Sequence, residues 1–129
     1  MVNIVWQFQA AVPGGPSLTI NQPNLEVSGY DVVAVTIPAS TNNFAVPVQP
    51  SSGSGDVSLM IISSTKYDPG ISYTVDALGA AHVLDGPHVL IGSGAVSLLN
   101  STAPPQKLTF NNTLTSDISV QVLAGRKIP

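Results

Sequence analysis

Short runs rich in β-forming residues, each closed by a breaker, fill this chain, and helical periodicity is nearly absent. That pattern constrains the fold more than any single motif does. Asp68-Pro69-Gly70, Gly79, Gly86-Pro87, Gly92-Ser93-Gly94 and Pro104-Pro105 fall between the runs. Proline has no N–H to give to a ladder, and glycine adopts turn conformations closed to other residues, so each cluster ends a strand. The runs lie at residues 3–11, 17–20, 24–28, 30–37, 44–49, 57–63, 71–76, 81–84, 88–91, 96–99, 107–111 and 118–124. In the first run, Ile4, Trp6 and Phe8 share one face while Val5, Gln7 and Gln9 take the other. Residues 44–49 contain Pro47 and so form an edge strand or none. Residues 57–63 read as a strand buried on both faces, with Leu59 and Ile61 on one side and Met60 and Ile62 on the other. Ser51-Ser52-Gly53-Ser54-Gly55 reads as a flexible turn, and the best prospect for a helical turn is 95–100.

About ten short strands, spaced about ten residues apart, predict an all-β fold: an antiparallel β-sandwich or jelly roll of about 8–10 strands. No helical stretches alternate with the strands, which excludes a parallel α/β fold. The 129 residues suit one domain over residues 1–129, without linker or internal repeat. A chain of this length buries roughly two-thirds of its unfolded surface.

Only 9% of the residues are charged, where about 25% is ordinary. Ser, Thr, Asn, Gln, Gly and Pro fill the gap. A surface of amides and hydroxyls is cheaper to cover with a partner than a charged one, because no ion is desolvated. Interface cores are depleted in charge for that reason. The composition therefore points to life in an assembly, as a homo-oligomer with a trimer favoured over a dimer. A net charge of −3 with four basic residues excludes nucleic acid as the expected partner. Cysteine is absent, so disulfides and thiolate metal sites are excluded. The opening residues Met1-Val2-Asn3-Ile4 have no basic region of the signal-peptide kind. No apolar stretch reaches the length of about 20 residues a spanning helix needs.

The residues that invite a chemical reading lie in "HVLDGPHVLIGSG", from His82 to Gly94. A two-residue turn at Asp85-Gly86 would pair His82 with Val89 and put His82 and His88 on opposite faces. A three-residue loop through Pro87 would pair His82 with Leu90 and put both histidines on one face. Pro87 favours the longer loop, because the closing bond of the tight turn needs an N–H. A zinc site still wants a third and fourth ligand, and only Asp76 and Asp85 are near. Gly92-Ser93-Gly94 is not a nucleophile elbow, the carboxylates are scattered singly, and no glycine-rich loop precedes a predicted helix. The expectation is no enzyme, no cofactor and no metal, with His82 and His88 as surface or interface residues beside a turn. Trp6 and Phe8 read as core or interface packing. Tyr67, beside Asp68-Pro69-Gly70, is the exposed aromatic best placed to contact a sugar. The aspartates show no D-x-D spacing for calcium and suit turns.

The C-terminal half, "ISYTVD…LDGPHVLIGSGAVSLL…LTFNNTLTSDISVQVLAG", resembles the β-sandwich virion proteins of tailed bacteriophages, of the capsid decoration (cement) or head–tail kind. The resemblance covers the style of the whole chain rather than a signature motif, so it carries no site residues with it. It implies a virion protein, assembled in the host cytoplasm, that binds capsid or other virion subunits and stabilises the shell. The alternative is a carbohydrate- or receptor-binding module of a tail or neck. Trp6, Phe8, Tyr67, His82 and His88 are the candidate contact residues under either reading.

Overall fold

The computed structural model describes residues 2–21, 25–48 and 56–127. The turn expected at residues 51–55 lies outside them. Twelve strands and one helical turn follow in order: β1 (Val2–Ile4), β2 (Gln7–Ala11), β3 (Ser17–Asn21), β4 (Leu25–Val27), β5 (Gly29–Ile37), β6 (Thr41–Pro47), β7 (Asp56–Ser64), β8 (Ile71–Val75), β9 (His82–Val83), β10 (His88–Ile91), α1 (Ser93–Val96), β11 (Lys107–Asn112) and β12 (Ile118–Lys127). Two four-stranded antiparallel sheets form the body. The first sheet runs β10-β7-β12-β5 and the second β6-β11-β8-β9.

Counting β5 to β12 as strands one to eight, the sheets read 6-3-8-1 and 2-7-4-5. That is the jelly-roll order. Every connection from β5 onward changes sheets except that between β8 and β9. The period-two pattern explains which faces meet. Ile71, Tyr73 and Val75 of β8 and Leu108 and Phe110 of β11 point inward from the second sheet, and Met60, Ile62, Val120, Val122 and Ala124 oppose them from the first. As expected, β7 is a central strand, and Leu59, Met60 and Ile62 are fully buried; Ile61 is only half-buried. The strand with Pro47, β6, lies at an edge.

A buried amide pins one corner of the sandwich. Asn112 donates through Nδ2 to the carbonyls of Ile37, Pro38 and Ser116, and its Oδ1 accepts from the Leu114 N–H. It therefore ties the crossing from β5 to β6 to the crossing from β11 to β12. Asp76 does similar work elsewhere. Its carboxylate accepts from the N–H groups of Gln106 and Lys107 and from Asn100 Nδ2, joining the end of β8 to the start of β11.

Three expectations need correction. The run at 3–11 is not one strand: it breaks at Val5-Trp6 into β1 and β2, which pair with different partners. The run at 96–99 is not a strand. After Gly92 turns the chain at φ 97°, residues 93–96 make one helical turn, and Val96 and Leu99 are both buried. Three-residue spacing puts those two on one helical face, whereas a strand would split them. Lastly, residues 82–91 do not form a hairpin of either register. β9 pairs with β8 and β10 with β7, so residues 84–87 carry the chain from one sheet to the other.

Candidate functional site

That crossing settles where the histidines go. Tyr73 faces His82 directly across the β8–β9 pair and Phe110 across the β8–β11 pair. His88 arrives from the first sheet, opposite Ile62. The Tyr73 ring lies 5.3 Å from His82 and 5.5 Å from His88 and Phe110, centroid to centroid. Tyr73 is fully buried, and burial pushes its hydroxyl pKa up from the ordinary value of 10.0. The phenol therefore holds its proton, and its hydroxyl shares a 2.6 Å hydrogen bond with His88 Nδ1 that joins the two sheets. Among the described residues, no group of three His, Cys, Asp or Glu stands within reach of a common ion. The arrangement is a polar clasp inside the core, and sequence reasoning missed its centre, Tyr73.

Tyr67 lies at the surface, but its hydroxyl accepts from the Ser64 N–H at 3.2 Å. A shallow cavity of about 190 Å³ opens beside α1, between Val57, Ser93, Ser97, Asn100, Thr102 and Pro105. None of its described lining residues is an acid, a base or a cation.

The largest departure from an ordinary surface is at the N-terminus. β2 and β3 form a hairpin whose every described side chain is exposed. Its loop is built locally: Pro13 and Gly14 occupy the centre, Gly14 has φ +73°, and the Gly15 N–H returns to the Val12 carbonyl at 2.8 Å. Proline followed by a positive-φ glycine is the type II turn arrangement. The register pairs Phe8 with Ile20 and Ala10 with Leu18, so all four lie on one face of the ribbon. Phe8 is 45% exposed, Leu18 55% and Ile20 41%. Among the described residues, that face stays open to solvent along its length. Trp6 stands at the base of this arm, half-buried, with its indole N–H screened from solvent and unpartnered. Phe8 is thus uncovered rather than core, and Trp6 lies outside the strands.

A second apolar surface lies on the outer side of the first sheet. Val89, Ile61, Leu123 and Val32 stand directly opposite one another, one from each strand. Val89 and Val32 are exposed at the ends of this row, and Ile61 and Leu123 are half-buried between them. The adjoining part of the same face is covered by the β1–β4 ribbon. A side chain at Gly125 would meet Ile4, Leu59 and Val27 within 3.3 Å, and Leu59 is fully buried there. The outer side of the second sheet is different in kind: Thr109, Thr74, Asn111 and Ser72 occupy its cross-strand positions.

The fold and these surfaces define a class: a single jelly roll carrying an N-terminal β-ribbon arm with an uncovered apolar face. No family model, curated protein or solved structure matches the chain. No described helix is long and apolar enough to cross a membrane.

Proposed function

We propose that this protein is a non-enzymatic building block of a larger protein assembly, of the kind that decorates and cements a phage capsid. The observation that carries the reading is the arm. An isolated two-stranded hairpin is at best marginally stable in water, and this one presents Phe8, Leu18 and Ile20 to solvent. No charged residue occurs before Glu26, so covering the arm desolvates no ion. Jelly rolls serve as capsid and lectin domains alike, so the fold alone does not choose. The uncovered arm favours a protein partner over a sugar. Its partners in this reading are copies of itself and virion subunits, its place is the virion, and its mechanism is area burial summed over many weak contacts.

The test is the native mass of the purified protein at micromolar concentration, together with its co-sedimentation with empty phage shells. Association in either assay supports the reading. A monomer that binds no shell and instead shows saturable sugar-dependent quenching of Trp6 or tyrosine fluorescence would replace it with the carbohydrate module.

A further inference from the structure

We propose that Asp85-Gly86 is a self-modification site: in the folded chain the pair closes to a succinimide and reopens as isoaspartate, and the change loosens the crossing between the two sheets. This is a covalent property of the chain's own residues, so it stands or falls separately from the assembly reading.

The reaction needs a carboxyl group free to swing, an unhindered backbone N–H on the next residue, and a segment that lets the two meet. The other aspartates fail the first condition. Asp68 Oδ1 accepts from the Gly70 N–H, and Asp117 Oδ1 from the Ala39 N–H. Asp76 is held by Gln106, Lys107 and Asn100, and Asp31 pairs with Arg126. Such bonds to nearby N–H groups are the ordinary use of aspartate in turns. Asp85 is exposed, and among the described residues no hydrogen bond holds its carboxylate or the Gly86 N–H.

The second condition separates the same residues again. Val32, Ala77 and Ile118 follow three of the tied aspartates and put a Cβ beside the attacking nitrogen, while Pro69 has no N–H at all. Gly86 has no Cβ, and one built there would meet nothing within 4 Å, so the space around it is open. No asparagine precedes a glycine in the chain, so the faster amide version of this chemistry has no such site here.

The step balances without an oxidant, a reductant or a cofactor. The Gly86 nitrogen attacks Asp85 Cγ. A new N–C bond forms, and the amide proton and the carboxyl hydroxyl leave together as water. Water then adds to one of the two imide carbonyls. Attack at Cγ restores aspartate. Attack at the Asp85 main-chain carbonyl breaks its bond to the Gly86 nitrogen, frees an α-carboxylate, and sends the backbone through Cβ and Cγ.

That detour adds one main-chain carbon where the fold has little slack. Asp85, Gly86 and Pro87 alone separate two anchored residues. Leu84 is fully buried, its N–H donates to the Ile71 carbonyl at 2.8 Å, and its own carbonyl accepts from Asp68. His88 is set opposite Ile62 in the first sheet and bonded to Tyr73 of the second. A longer, rerouted link between them pulls on both anchors.

The experiment holds the intact folded chain in warm neutral buffer and follows Asp85 by peptide mapping. An isoaspartyl methyltransferase with labelled S-adenosylmethionine counts the α-carboxylates released. Isoaspartate should build up at Asp85 ahead of every other aspartate and asparagine, with a minor species lighter by one water. Gly86→Ala should slow it several-fold, and the conformation at Gly86 allows alanine. Asp85→Glu, which keeps the charge but requires a larger ring, should abolish it. Circular dichroism checks that both variants fold. The modified form, separated by chromatography, should exchange its Leu84 N–H several-fold faster than its parent. Isoaspartate that appears at Asp85 only in denaturant overturns the proposal, because the fold then protects the pair. An unchanged rate in the Gly86 variant also overturns it, and unchanged exchange at Leu84 overturns the link to the crossing.

Discussion

β8 and the β2–β3 arm are built on the same alternation, and they meet opposite fates. In β8, Ile71, Tyr73 and Val75 point one way and all are fully buried, because the first sheet lies across from them. In the arm, Phe8, Ala10, Leu18 and Ile20 also share one face, and all four are exposed. Alternation therefore fixes which side chains act together, but not what covers them. In the body, cover comes from strands far away in sequence. In the arm no described strand supplies it, and the proposed reading gives that task to another molecule. In the proposed reading the body's stability belongs to the single chain, whereas the arm's order belongs to an assembly.

The sharpest way to break this contrast is to cut into the body. Phe110 is fully buried and packs against Tyr73. Phe110→Ala should destabilise the chain by about 3–5 kcal/mol, and Leu59→Ala by about 2–5 kcal/mol. Denaturant midpoints at a concentration where the chain is monomeric measure both. A loss under half a kcal/mol at either position would mean that the sandwich is no more self-sufficient than the arm.

Next in size comes the buried corner. Asn112→Ala leaves the carbonyls of Ile37, Pro38 and Ser116 and the Leu114 N–H without their partner. Each abandoned buried group costs about 1–3 kcal/mol; the Ile37 contact is buried and the other three are partly open to water, so the total should be about 2–4 kcal/mol. Hydrogen exchange should show the protection loss centred on the ends of β5 and β11. Uniform loss across the sandwich would assign Asn112 a packing role instead.

The body was legible from sequence wherever local pattern decides, and illegible wherever pairing is long-range. Nearly every core strand could be placed from alternation and breakers, because each is bounded by its own turn residues. The pairing could not, because in a jelly roll sequence neighbours change sheets. Residues 82–91 show the cost. Asp85-Gly86-Pro87 looked like the bend of a hairpin, and the chain instead crosses the sandwich there. Consequently neither turn length gave the right environment for His82 and His88, which converge on Tyr73 from different sheets. The arm had a readable signal in Pro13-Gly14 between two alternating runs. Its exposure had none, since nothing local distinguishes an uncovered apolar ribbon from a covered one.

Tyr73 supplies a smaller effect that sharpens the comparison, because it tests whether the core stays sealed. Burial raises its pKa above 10.0. Below pH 10 the folded and unfolded chains both hold the phenolic proton, and stability is full. As the pH rises further, the unfolded chain sheds the proton and the folded chain keeps it, so stability falls by about 1.4 kcal/mol per pH unit from this one group. Tyr73→Phe should flatten that alkaline slope while losing the 2.6 Å bond to His88, at about 1 kcal/mol. An unchanged slope in the variant would mean that Tyr73 ionises in the folded state, and that the clasp is wet.

The smallest expected effect is the one that isolates the arm. Leu18 is 55% exposed and touches none of the sandwich core. Leu18→Ser removes apolar surface that the lone chain leaves mostly exposed, so at high dilution its stability should change by less than about 0.5 kcal/mol. With the proposed self-association, the wild type should gain stability at high concentration by mass action, because association favours the folded state. The variant should gain much less. Melting temperature followed over a hundredfold range of concentration therefore separates the two chains only at the concentrated end. Added salt should move neither curve much, since the contact has no ion pairs to screen. Two curves already apart at the dilute end would show that the arm contributes to its own chain's fold. The division into a self-sufficient body and a dependent arm would then fail.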